Sequence, residues 1–429
     1  MNILIKNIDI LDLSIDDKVI RNSNLVIVGD KIKSIGDYDK EVNYDKIIDG
    51  TNRLAMPGLV NAHSHLGMSV LRNYADDYDL NVWLNDYVWP AEAKLTDEDI
   101  YWGSLLSMVE MIQTGTTTFC DMYFSMDKVA RATDESGLRG VLTRAITDIG
   151  GGGDEKFNDM MDLVLEYKNN PHDRIKFYIS PHAIYTCSSE LLMKCRDASL
   201  DLDIPINIHM SETLKEVKDS MASNNMTPIE YINSLGMLDA HIIAAHCTHI
   251  TDEEIEIVKD KNFYPIYNPT SNLKLASGFT PIKKMLESGM TIGLGTDGSS
   301  SNNNQNMFEE IHISSIVNKA VEMNPKCISA EDSLRFATIN GAKALRLDDI
   351  GELKVGNKAD IVLISLDSPH MVPRYNDVSS LAYSAQGSDV ETTIVNGEIL
   401  MENREVKTLD VERIKYEVKK ISEKLMTSR

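Results

Sequence analysis

Basic residues are scarce in this chain. Its 429 residues carry 43 Lys and Arg against 66 Asp and Glu, a formal net charge of −23. A field of that sign repels phosphate backbones and argues against nucleic acid as a partner. It favours solubility and identifies no substrate. Cysteine is also sparse. Cys120, Cys187, Cys195, Cys247 and Cys327 make an odd number with no Cys-x-x-Cys pair, the usage of a reduced, cytoplasmic protein. No apolar run approaches the roughly 20 residues of a membrane span. The opening stretch, MNILIKNIDILDL, is broken by Lys6, Asp9 and Asp12 and reads as a strand, not as a signal sequence. There is no internal repeat and no low-complexity segment.

What is present divides into three textures. Residues 1–56 and 346–429 hold alternating apolar strands with Gly, Asp and Asn-Gly breaks, and 410–427 has helical spacing. Between them, 57–345 alternates short apolar runs with longer amphipathic ones. The strand candidates are 59–65, 116–122, 138–145, 174–181, 204–210, 241–247, 263–267 and 291–296. Eight strand–helix units in series predict an α/β fold, a (β/α)₈ TIM-like barrel. The two β-rich ends are expected to build one small β-sandwich domain, the terminal helix belonging to its C-terminal part.

Active residues of such a barrel sit at the C-terminal ends of its strands. The first candidate strand ends Asn61-Ala62-His63-Ser64-His65. Side chains two apart on a strand share a face, so His63 and His65 can address one ion. In 204–210, Ile204, Ile206 and Ile208 share the outer face, which turns His209 inward. His246 ends the sixth candidate at the same height, and Asp297 follows the eighth with no cation near it in sequence. A carboxylate there is costly unless paired or on a metal. Singly, each is as consistent with a core histidine or a turn residue. Together they predict one divalent metal on His63, His65, His209 and Asp297, of a kind that suits Zn²⁺ or Fe²⁺ and leaves room for water. A second ion needs a bridging lysine at the end of strand four. Lys176 stands six residues before His182, roughly 20 Å along a strand, too deep to bridge.

The segments PGLVNAHSHLGMS, SPHAIYTCS, IHMSET, AAHCTHIT, NPTSNLKLASG and GTDGSSSNNN occur in this order. They resemble the amidohydrolase superfamily, and within it the 5′-methylthioadenosine/S-adenosylhomocysteine deaminases, over nearly the whole chain. The resemblance implies hydrolytic deamination at C6 of the adenine ring of methylthioadenosine, S-adenosylhomocysteine or adenosine, with release of ammonia. It implies that His63, His65, His209 and Asp297 hold the metal, that Glu212 shuttles protons, and that His246 orients the attacking hydroxide. Asp297 would take the proton of the attacking water. Apart from the resemblance, Glu212 also reads as a helix-start carboxylate.

For the substrate, Trp83 and Glu92 in VWLNDYVWPAE match the residues that line the family's nucleoside site. A carboxylate accepts two hydrogen bonds from a ribose diol, and an indole covers apolar carbons. Helix packing is the alternative reading of Trp83. Arg144 and His182, at the ends of strands three and four, match further substrate contacts. Arg144 serves equally to balance acidic neighbours. Relatives that bind S-adenosylhomocysteine often carry another arginine shortly after this point. Here DIGGGGDEKF offers only Lys156, which leaves the preferred tail undecided. A homo-oligomer is a family expectation. The competing activity is a deaminase or chlorohydrolase of another purine, pyrimidine or triazine on the same metal site.

Overall fold

The structure, a computed structural model, describes residues 1–427. Five strands open the chain: β1 (Asn2–Leu11), β2 (Val19–Val28), β3 (Lys31–Ile35), β4 (Lys46–Asp49) and β5 (Arg53–Pro57). The central region supplies β6 (Leu59–His65), β7 (Thr116–Tyr123), β8 (Arg139–Arg144), β9 (Ile175–Phe177), β10 (Ile206–Met210), β11 (Ile242–His246), β12 (Phe263–Tyr267), β13 (Gly293–Leu294) and β14 (Asp297–Gly298). The last four are β15 (Ile361–Ser365), β16 (Val390–Val395), β17 (Glu398–Glu402) and β18 (Glu405–Val406).

The central strands close a parallel barrel. β14, β6, β7, β8 and β9 pair in that order, as do β10 to β13. The bridges Ile179 to Ile206 and Ala183 to His209 join the two arcs. At the other seam the eighth strand is split. β13 pairs with β12, while Asp297 and Gly298 pair with Ser64 and His65 of β6. The continuous strand expected over 291–296 is interrupted because the Thr296 N–H is taken by the Asn61 side-chain oxygen at 3.0 Å, and Asp297 adopts a left-handed φ of 63°. The fourth strand is regular only over Ile175–Phe177, although the Tyr178 N–H still donates to the Leu142 carbonyl at 3.1 Å and the Ile179 N–H to the Pro205 carbonyl at 3.3 Å.

Helices cover the barrel. Asp97–Thr114 begins at Thr96, which with Asp99 forms a reciprocal capping box, and ends at Gly115 with φ 87°. That left-handed end suits a residue without Cβ. The chain then enters β7 directly, which sets the height of its polar C-terminal end.

Both chain ends meet in one nine-stranded sheet, joined by the antiparallel pairing of β5 with β15. Its edge returns on itself: the Ile32 N–H donates to the Asn357 carbonyl, and the Ala359 N–H to the Asp30 carbonyl. Ile3, Ile5, Ile27, Ile361, Leu363 and Ile394 fill the interior so enclosed. Arg139 on β8 and Asp360 form a buried bidentate pair, at 2.8 and 3.1 Å, that ties this sheet to the barrel. The terminal helix Val411–Thr427 lies on the barrel instead of the small sheet. Lys424 reaches Asp99 at 2.9 Å and the Arg413 guanidinium stands over the Trp102 ring. Among the described residues, no helix is long and apolar enough to cross a membrane.

Candidate metal centre

The strand ends bring the inward histidines together. His63 and His65 come from β6, His209 from β10, His246 from β11 and Asp297 from β14. Asp297 Oδ1 lies 3.0 Å from His65 Nε2 and 3.6 Å from His63 Nε2. His209 Nε2 and His65 Nε2 are 3.3 Å apart. The ligand atoms of His63, His65 and Asp297 lie within 4.8 Å of one another, and those of His63, His209 and His246 likewise.

Backbone carbonyls fix the orientation of two rings. His65 Nδ1 faces the Met122 carbonyl, and His209 Nδ1 faces that of His182 at 2.9 Å. Each therefore presents Nε2 to the centre, the support that metal-ligating histidines require. Ser271 and Ser301 donate to Asp297 Oδ2 at 2.6 and 2.8 Å, which leaves Oδ1 for the cluster. His63 is buried, and neither of its ring nitrogens has a hydrogen-bond partner. Two orphaned nitrogens and a close Nε2–Nε2 approach are costly without a positive charge between the groups.

The electrostatics set the protonation of the cluster. Burial pulls His63 down to about 4. Burial and the neighbouring imidazoles hold His209 well below the usual range. Both are therefore in the neutral form that ligates. Burial opposes the ionisation of Asp297, but His63 and His65 outweigh it and keep the carboxyl well below its ordinary value. Burial also opposes charge on His65, which Asp297 nevertheless pushes up to about 9. Three imidazoles and one carboxylate, oriented and buried, fit a divalent cation. Lys176 is exposed at the far end of the barrel, 3.4 Å from the Arg346 carbonyl.

Beside the cluster, Glu212 Oε2 lies 3.8 Å from His246 Nε2. Asn272 faces His246 Nδ1 at 2.8 Å. Burial raises the pKa of Glu212. Glu212 and His246 line a cavity together with His65, Trp83, Leu84, Trp89, Glu92, Tyr123, His182, Tyr185, His209 and Asp297. Trp83 is fixed by donating from its indole to the Ala75 carbonyl at 3.1 Å. His182 stands against His209 with ring centroids 4.7 Å apart.

Two residues singled out in the sequence lie elsewhere. Arg144 is not among the cavity-lining residues and pairs with Asp159 at 3.4 Å. Thr143, its neighbour on β8, bonds inside the barrel, donating to the Asp121 carbonyl and accepting from the Asn207 amide. Lys156 is folded back onto Thr147, at 2.8 and 3.0 Å. Conversely, Tyr123 and Tyr185 line the cavity without having been singled out. Tyr123 was legible as the last residue of a barrel strand. Tyr185 lies beyond the strand end, and no spacing rule reaches it.

The model of the amidohydrolase family matches residues 54–400. The chain belongs to the amidohydrolase family. Among relatives of this amidohydrolase, a 5-methylthioadenosine/S-adenosylhomocysteine deaminase of Thermoanaerobacter pseudethanolicus is 51% identical, over 99% of this chain and 100% of that one. A 5′-deoxyadenosine deaminase of Methanocaldococcus jannaschii is 46% identical, over 92% and 94% respectively. Among solved structures, an adenosine deaminase from Xanthomonas campestris with bound zinc superposes with a TM-score of 0.95 at 30% identity, over 99% of this chain and 98% of that one. An atrazine chlorohydrolase from Arthrobacter aurescens, 23% identical with a TM-score of 0.90 over 98% and 100%, shares the fold.

Proposed function

We propose that this chain hydrolytically deaminates the adenine ring of a nucleoside at C6. The observation that carries the reading is one cavity holding both halves of the chemistry. The histidine–aspartate cluster with Glu212 and His246 faces the same space as Glu92 and Trp83. His63, His65, His209 and Asp297 are the residues that would hold one divalent ion, Zn²⁺ with Fe²⁺ as the alternative. Such an ion supplies a water acidified to a pKa near about 7.

The residues do the rest. Asp297 accepts a proton from the attacking water, and His246 orients that water by hydrogen bonding. Glu212 donates a proton at ring N1, which lets the ring accept the electron pair of the new C6–O bond. Return of protons to the exocyclic nitrogen makes it ammonia, and the C6–N bond breaks to leave the 6-oxopurine nucleoside. Proton transfers of this type contribute about 10²–10⁴-fold each. Glu92 accepts hydrogen bonds from the ribose diol, Trp83 covers the sugar, and His182 contacts a ring nitrogen or ribose oxygen.

Neither Arg144 nor Lys156 offers its charge to the cavity, because both are committed to other partners. This favours substrates with a short uncharged 5′ substituent, such as methylthioadenosine, 5′-deoxyadenosine or adenosine, over S-adenosylhomocysteine. A role for Arg144 on a charged tail would require it to leave Asp159. A homo-oligomeric state and a cytoplasmic location belong to the same proposal, and light scattering tests the first. The deciding experiment is a kcat/KM series over these nucleosides and free purine bases, with metal content measured on the same sample. Turnover of nucleosides is expected, and activity on free bases alone would overturn the reading.

A further inference from the structure

Glu212 is aimed by its backbone and not by its own contacts. Its carboxyl accepts from Ser277 Oγ at 3.4 Å and stands 3.8 Å from His246, both too long to fix a side chain firmly. The direction of its Cα–Cβ bond therefore decides where the acid points. That direction is set in a tight corner between β10 and the helix Leu214–Asn224, where Ser211 holds a left-handed φ of 48°. Such a conformation is unfavourable for serine and persists only when its surroundings enforce it.

Glu216 does the enforcing. It is buried on the first turn of that helix, and its two carboxyl oxygens accept from the backbone N–H groups of Ser211 at 3.0 Å and Glu212 at 2.8 Å. The helix cap is Thr213, whose hydroxyl accepts from the Glu216 N–H at 3.2 Å. In an ordinary capping box the third-position carboxylate returns to the cap residue itself. Here it reaches further back, to the two residues that carry the corner. We propose that Glu216 is a positioning residue for Glu212: it clamps the Ser211–Glu212 corner and so aligns the acid with the reacting ring nitrogen. The inference rests on the role given to Glu212 above.

The clamp needs an acceptor at both oxygens, which only a carboxylate provides. Glu216→Gln keeps the volume but turns a donor against one N–H. The metal-loaded variant should retain its metal content and KM, while kcat falls about 10²-fold, the scale of an ångström-sized misplacement. Its solvent deuterium isotope effect on kcat should rise, because proton delivery becomes limiting; a change in general stability would not move that quantity. Glu216→Asp keeps both acceptors but withdraws them by one methylene, and should recover part of the lost turnover. Wild-type kcat in Glu216→Gln, or a loss of kcat that tracks loss of metal, overturns the inference. If the Gln variant does not fold, Glu216→Asp decides: reduced kcat with unchanged metal supports the clamp, and wild-type kcat overturns it. Glu212→Gln separates the two levels. Full turnover in that variant refutes the role of Glu212 itself. An inactive Glu212→Gln beside a fully active Glu216→Gln refutes only the clamp.

Discussion

The Tyr123 hydroxyl donates to Glu92 Oε1 at 2.6 Å. Burial pushes the Glu92 carboxyl up to about 7, and this hydrogen bond pulls the other way. The pair sets the protonation of the acid proposed above to meet the ribose. Tyr123→Phe removes the opposing influence and leaves burial to dominate. Glu92 should then titrate above the wild-type value. If its ionised form accepts the ribose hydroxyls, the acid limb of the kcat/KM profile for a nucleoside moves to higher pH. An unmoved limb would place Glu92 outside the binding event.

Glu92 also makes stability depend on pH. Its pKa rises from 4.5 to about 7 on folding, so between those values the folded state binds more protons than the unfolded. The contribution of this group to stability is therefore fullest below the unfolded value and is lost as pH rises through the folded one. Glu92→Gln does not titrate. Relative to wild type, the variant should gain in Tm as pH is raised through about 7. Parallel melting curves at acidic and neutral pH measure that difference.

One ion per chain is expected by elemental analysis, because Lys176 is at the opposite end of the barrel from Asp297. Two ions per chain would overturn this. Chelation should abolish turnover and lower Tm, since the donors of His63, His65, His209 and Asp297 lose their shared cation. Added ligand stabilises a fold by mass action, so Tm should climb with Zn²⁺ concentration in the apoprotein. His63→Ala should blunt that response.

The Arg139–Asp360 pair is buried, and Asp360 also accepts from the Asn396 N–H at 2.8 Å. Removing one partner leaves the other charge unpaired. Asp360→Ala should cost about 3–5 kcal/mol in denaturant unfolding. Replacing both ions, as in Arg139→Met with Asp360→Leu, should cost much less. If the small sheet unfolds separately from the barrel, the single variant will show two transitions where wild type shows one.

The sequence carried the barrel through eight strand–helix units in series, and the site because four of the strands place a polar ligand at the same end. His63 and His65 share a face by strand alternation, and the isoleucines of β10 identify the inward side of His209. These are local regularities, visible at short range. The split of the eighth strand was not visible. It depends on the Asn61 side chain meeting Thr296 from the other end of the domain. The partner of Arg144 was not visible either: it stands at the end of β8 as expected, and its guanidinium meets Asp159 at 3.4 Å, a residue of the following helix. The terminal helix was legible as a helix, while its seat on Asp97–Thr114 was not, because an amphipathic face does not name its partner.

The sequence by itself determined which histidines and which aspartate stand at the strand ends, since residue type and strand phase are properties of the chain. Only the tertiary structure decided how those donors are held. The Met122 and His182 carbonyls, the adjacent Ser271 and Asn272 side chains, and the Ser301 hydroxyl come from four segments far apart in sequence. Hydrogen bonds depend on distance and angle at contact, and no spacing along a chain encodes where two loops will cross.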